Sequence, residues 1–195
     1  MTVKLFVEGG GDNNKSLKTK CREAFSRLIE RALPGSRKPR IVACGGRNAA
    51  YEDYRNSQKV SPSEIAFLLI DSESPVPLGE TPVQYLRRTM NWEVDDHAHL
   101  MVQCMESWLL ADRDCLSAYF GQGFNLGALP ARADVELVPK QDVFSGLAAA
   151  TRHSRTKGEY AKASHSFALL GEVDPHRLLT ASPRAAAFFA DLARL

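Results

Sequence analysis

Three carboxylates in this chain stand where side chains could act together on a metal ion. Glu8 ends the apolar run that begins at Val3, Asp71 ends the longer run Ile65–Ile70, and Glu73 follows two residues later. Carboxyl groups gathered on one edge repel each other, which is costly unless a cation offsets them. Hard oxygen donors with open positions suit Mg²⁺ or Mn²⁺. A pair of such ions stabilises both the attacking and the leaving oxygen of a phosphodiester displacement. Asp12, in the loop after the first run, and Glu106 are further candidate metal ligands, with Asp112 next in rank. Taken singly, each of these side chains would more readily cap a helix or face water than hold a metal. The combination of Glu8 with Asp71-x-Glu73 favours the metal site.

Cations accompany these acids. Arg47 follows a second apolar run and is a candidate phosphate contact. Lys162 could stabilise charge developing on a phosphoryl oxygen, and Lys157 is a candidate substrate contact in the same basic stretch as Arg152, Arg155 and His165. A solvated face accounts for that stretch equally well. Gly9-Gly10-Gly11 and Gly45-Gly46 either let backbone amides approach a phosphate or simply turn the chain.

The elements that must position these groups follow from periodicity. Short β-branched and apolar segments predict strands at Thr2–Glu8, Arg40–Cys44, Glu64–Asp71 and His97–Gln103. The uninterrupted run before Asp71 fits a central strand covered on both faces. Helical spacing predicts helices over Lys15–Leu33 and Asn48–Gln58, and another from Pro82 to about Thr89, with Thr81 as its N-cap. Met105–Asp112 and Arg113–Phe120 follow as helices. Gly121–Pro139 reads as loop with short structure. Gln141–Thr151, Glu159–Leu170, Asp174–Leu179 and Pro183–Leu195 close the chain as helices. Alternation of this kind predicts an α/β fold: a mostly parallel four-stranded sheet with helices on both faces and a C-terminal helical extension. In such sheets, sites form beyond the carboxyl ends of the strands. Glu8 and Asp71 both lie there.

The length of 195 residues suits one domain, read as a metal-binding core over 1–120 and a helical extension over 121–195 packed on it. Apolar content of 44% and charged content of 25% are those of a globular protein in water. No apolar run approaches the ~18–20 residues that span a membrane. The N-terminus runs straight into a strand with no basic leader, so the cytoplasm is the expected compartment. Net charge is +2, too small to argue for nucleic acid by itself. Cys21, Cys44, Cys104 and Cys115 form no C-x-x-C pair and read as reduced thiols rather than zinc ligands. His97 and His99 share a strand face without a third ligand nearby and read as structural. Trp108, Met101, Met105, Leu109 and Leu110 read as core. Ser61, Ser63 and Ser74 lack a G-x-S-x-G elbow, which argues against serine hydrolase chemistry.

Val7-Glu8-Gly9 after the first strand, with Asp71-Ser72-Glu73 after the third, resembles the toprim pattern of a strand-end Glu and a later D-x-D. Toprim domains occur in topoisomerases, primases, recombination proteins and the overcoming-lysogenization-defect nucleases. More closely, the chain resembles the bacterial family of domain of unknown function 4276. That likeness covers Val7 to Asp12, Ile41 to Asn48, Leu69 to Glu73, Met101 to Asp112, then Lys157, Tyr160, Lys162, Ser166-Phe167 and Asp174-Pro175. It implies a toprim-like fold, with Glu8 as general base or metal contact and Asp71 as the main Mg²⁺ ligand. Glu73 takes the place of the second Asp and reaches one methylene further. The resemblance also implies an ATPase partner and a role in defence against phage or plasmids. The chain has no G-x-x-x-x-G-K-[ST], so it is not itself a P-loop ATPase.

The expected activity is a Mg²⁺- or Mn²⁺-dependent phosphodiesterase acting on DNA or RNA. Two rivals remain at this point. One is a non-catalytic toprim-like binding or regulatory subunit of an ATPase complex. The other is an enzyme of small phosphorylated molecules, whose affinity would depend less steeply on salt than that of a nucleic-acid binder.

Overall fold

Four strands form one parallel sheet in the computed structural model, which describes residues 2–11, 13–61 and 63–195. They are β1 (Val3–Glu8), β2 (Arg40–Gly45), β3 (Ile65–Asp71) and β4 (Ala98–Met101), in the order β2-β1-β3-β4. Leu5 pairs with Ile41 on one side and Phe67 on the other, and Leu69 lies between Val7 and His99. Parallel neighbours need crossovers, and helices supply them. α1 (Lys15–Ala32) leads to β2 on one flank of β1, α2 (Arg47–Val60) carries the chain across to β3, and α3 (Pro82–Met90) leads on to β4. The winding direction thus reverses between β1 and β3. A crevice opens beyond the carboxyl ends of strands at such a reversal.

Side chains alternate across the sheet, so each interior strand feeds two cores. Val3, Leu5, Val7, Phe67 and Leu69 pack with Cys21, Phe25 and Leu28 of α1. Phe6, Leu68, Ile70 and Leu100 pack on the other face with Tyr54 of α2 and with Tyr85 and Leu86 of α3. This explains the unbroken apolar run of β3: every residue from Ala66 to Ile70 is buried.

The remaining helices are α4 (Met105–Leu109), α5 (Arg113–Phe120), α6 (Lys140–Thr151), α7 (Lys162–Leu170), α8 (Pro175–Ala181) and α9 (Pro183–Leu192). Short 3-10 turns occupy Leu126–Ala128 and Val135–Leu137. Trp108, Leu147, Leu169 and Phe188 join the same apolar cluster as β1 and α1, so these helices complete one face of the sheet. Truncating one such side chain to alanine costs about 2–5 kcal/mol. Among the described residues, no helix is long and apolar enough to cross a membrane.

The boundaries differ from expectation where side chains intervene. α4 stops at Leu109 instead of reaching Asp112, because the Asp112 carboxylate caps α5 by accepting from Cys115 N at 3.1 Å. α7 starts at Lys162, not Glu159. In the stretch before it, Thr151 Oγ1 accepts from Tyr160 N and Ser154 Oγ from Lys157 N. β4 is shorter than His97–Gln103, although Met101 O and Gln103 O still accept from Ser72 N and Glu73 N. Thr81 caps α3 as expected, and Gln84 returns the bond to complete a capping box.

Candidate metal centre

Glu8, Asp71 and Glu73 converge at the reversal point, each offering a carboxylate oxygen within 4.8 Å of the others. The pairing of β1 with β2 slips at Val7/Glu8, and Gly9 and Gly45 then exchange backbone hydrogen bonds of 2.8 and 2.9 Å. Such a slip re-aims the side chain beside it. Gly9 sustains the turn with φ +144°, a conformation that side chains rarely adopt. Asp71 points to the α1 face, where Met105 N donates to its Oδ1 at 2.8 Å, and its own backbone N–H donates to Glu8 Oε2 at 3.1 Å. Glu73 sits at φ +65°, in the left-handed region that a non-glycine residue occupies at a cost of about 1–3 kcal/mol. Its amide is fixed there by Gln103 O at 2.8 Å.

Cations surround the acids. Arg47, at the start of α2, approaches Glu8 Oε2 at 3.9 Å and Glu73 Oε1 at 3.5 Å. Lys140, at the start of α6, donates to Glu73 Oε2, and its backbone N–H donates to Gln103 Oε1 at 3.0 Å. Lys162 lies 3.4 Å from Glu106 Oε1. Glu106 is fully buried, accepts from Ser166 Oγ at 3.1 Å, and leaves its Oε2 with no hydrogen-bond partner among the described residues. Tyr160 and Ser166 share a hydroxyl–hydroxyl bond of 2.6 Å next to it.

These surroundings set the electrostatics. Burial raises the Asp71 carboxyl well above the usual carboxylate range, and the charges of Glu8 and Glu106 add to that, against the pull of Lys162. Burial also raises Glu8, opposed by the bond from Asp71 N and by Arg47. For Lys162, burial disfavours the charge, but Glu106 and Asp71 together outweigh it and hold the ammonium above its ordinary value. Among the described residues, Asp71 Oδ2 and Glu8 Oε1 receive no hydrogen bond. An all-carboxylate donor set with open oxygens fits a hard divalent cation.

The structure therefore brings together Glu8, Asp71 and Glu73, with Arg47 beside them and Lys162 on the rim. Glu106 stands behind Asp71 as the partner of Lys162 and outside the triad of converging oxygens. Asp112 is occupied elsewhere: besides capping α5, it accepts from Asp174 N at 2.9 Å and from Arg177 at 3.1 Å. Lys157 stands with its ammonium 4.8 Å from the centre of the Tyr119 ring and forms no ion pair among the described residues. Asp12 lies outside the described residues. His97 and His99 both meet Asp191 and are structural, and Trp108 is core. Sequence reasoning missed Lys140 and Gln103. Lys140 is 67 positions from the carboxylate it meets, and no local pattern marks it beyond its place at the start of a helix.

Neither the curated proteins nor the solved structures contain a significant match to this chain. The model of one family, described as Domain of unknown function (DUF4276), matches residues 7–193, nearly the whole length, and the chain belongs to that family.

Proposed function

We propose that this chain is a Mg²⁺- or Mn²⁺-dependent phosphodiesterase acting on DNA or RNA. The observation that carries the reading is the convergence of Glu8, Asp71 and Glu73 at the sheet's reversal point, ringed by Arg47, Lys140 and Lys162. Acids that hold a cation beside cations that hold an anion are what a phosphodiester requires. When bound, the divalent ion supplies Lewis-acid polarisation of the phosphoryl group and makes water a stronger nucleophile.

The chain's own groups have distinct parts in this reading. Asp71 and Glu73 hold the ion. Glu8 helps to hold it or accepts the proton of the attacking water, a task its raised proton affinity favours over that of an ordinary carboxylate. Lys162 donates to a non-bridging phosphoryl oxygen, and Glu106 keeps its ammonium charged and aimed. Arg47 contacts an adjacent phosphate. Kinship with the toprim nucleases belongs to the same proposal and is consistent with the four-stranded parallel sheet. So do an ATPase partner and a role in defence against phage or plasmids, which rest on the resemblance alone.

The test is cleavage of labelled DNA and RNA oligonucleotides with Mn²⁺ or Mg²⁺. Wild type should cut at least one of them, and Asp71→Asn should lower the rate by at least about 10²-fold, as for other groups that stabilise transition-state charge. Undiminished metal-dependent cleavage by Asp71→Asn would overturn the assignment. One observation favours the second reading, a non-catalytic subunit of an ATPase complex: Lys140 and Arg47 already neutralise Glu73. That reading predicts no cleavage with either metal, and partner binding indifferent to Asp71→Asn.

A further inference from the structure

A cavity of about 360 Å³ opens on the α1 face directly beside the triad. Glu8 and Asp71 form its acidic end, and Lys162 lines it as well. Leu17 from α1, Met105 from α4 and Phe167 from α7 give it apolar walls, and Ser166 and the glycine backbone of residues 9–11 also line it. Phe167 is half-buried and backs onto the glycine turn. A Cβ at Gly9 would stand only 3.4 Å from Phe167 Cζ and 3.2 Å from Cys21 Sγ, so the ring is seated against bare backbone. Beyond Glu8, on the other face of the sheet, lies a second and more open depression lined by Arg47, Asn48 and Met90. The two hollows meet at Glu8.

A metal-ligating edge joined to an aromatic slot is more than phosphate chemistry needs. We propose that the cavity takes the nucleobase of one unpaired nucleotide, seated against Phe167, while its phosphate lies over Glu8 and Asp71 and the strand continues toward Arg47. This rests on the phosphodiesterase reading above and narrows it to single-stranded substrate. The volume falls at the low end of the about 300–1,000 Å³ typical of small-ligand sites, enough for one nucleotide but not for a base pair. Every base has a π-face, so stacking on Phe167 tolerates any sequence, and such contacts are worth about 1–3 kcal/mol per base. A paired base would first have to leave its stack, which disfavours duplex.

The experiment compares a short single-stranded oligonucleotide, its duplex and a free nucleoside monophosphate. Each is tested with Mn²⁺ for binding by anisotropy or competition, and the two oligonucleotides for cleavage. Wild type and Phe167→Leu are used, the latter keeping apolar volume without a ring. Expected is a clear preference for the single strand, with Phe167→Leu weakening that binding by about 5- to 100-fold. Mn²⁺ affinity and the melting temperature should be preserved, which separates loss of stacking from loss of fold. Leu17→Ser, which removes another apolar part of the lining, should weaken the single strand in the same direction. Duplex cut as well as single strand, with no effect of Phe167→Leu, would overturn the slot while leaving the phosphodiesterase reading intact. Binding of the monophosphate alone, with no oligonucleotide bound or cut, would overturn both.

Discussion

Burial and two neighbouring carboxylates hold the Asp71 carboxyl above its ordinary value, and this has a sign for stability. The folded chain binds that proton more tightly than the unfolded chain. Metal-free stability therefore falls as pH rises from the unfolded value of 3.8 through the raised folded value. Asp71→Asn removes the penalty and keeps an acceptor for Met105 N, so it should stabilise the metal-free protein at neutral pH by about 1–3 kcal/mol. A thermal melt with chelator reads this, and a lower melting temperature for the variant would contradict it. Lys140 carries a second prediction. Its ammonium must leave Glu73 when a cation arrives, so Lys140→Ala should tighten Mn²⁺ binding by about threefold to tenfold. Unchanged or weaker binding in a calorimetric titration would mean that Lys140 assists the ion instead of competing with it. At this scale the sequence showed Glu8, Asp71 and Glu73, because strand ends can be read from hydrophobic runs. Lys140 and the Phe167 slot could not be read, because each is made by residues far apart in the chain that meet only through packing.

Between elements, α9 packs on the sheet through buried apolar residues such as Phe188 and Leu192, and one carboxylate adds a polar tie to β4. Asp191 Oδ2 lies 3.0 Å from His97 Nδ1 and 3.0 Å from His99 Nε2, both carried by the β4 region. A carboxylate only accepts, so each of these ring nitrogens carries its proton. Burial holds His99 below its ordinary value. Asp191 is pushed up by burial, but the bonds from His97 and His99 hold it below the usual range. Arg194 also faces Asp191, 3.8 Å away, and Asp95 accepts from the backbone N–H of His97. Both shifts act in the same direction. The unfolded chain takes up protons first, so stability is lost as pH falls below the ordinary histidine value of 6.5, and further as Asp191 protonates. His99→Gln should flatten the change in melting temperature between about pH 7 and pH 5. An equally steep profile in the variant would place the acid sensitivity elsewhere. Elements themselves were largely legible: four strands and the helices appear close to where periodicity put them. Two of the misplaced helix ends lie beside Asp112, Thr151 and Ser154, whose side chains accept from nearby backbone amides. Such bonds depend on side-chain geometry that spacing alone does not contain.

Over the whole molecule, the reversal of strand order between β1 and β3 is what turns two distant carboxylates into neighbours. The parallel sheet follows from the alternation of strand and helix, and the strand-end site follows from the sheet. The helices after residue 121 are not an appendage to that site, since α6 brings Lys140 and α7 brings Lys162 and Phe167. The extension was legible as helical and Lys162 as a candidate group in it, but Lys140 and Phe167 were not, since nothing in the spacing says which face these helices cover. Metal affinity should rise with pH, because ion and proton compete for the Asp71 carboxyl, whose proton affinity is raised by burial. The most direct measurement is a calorimetric titration with Mn²⁺ of wild type and of the Asp71→Asn, Glu73→Gln double variant. Binding to wild type that vanishes in a double variant that still folds is the predicted result. Equal binding by the two, or none to wild type, would contradict a metal centre at this edge of the sheet.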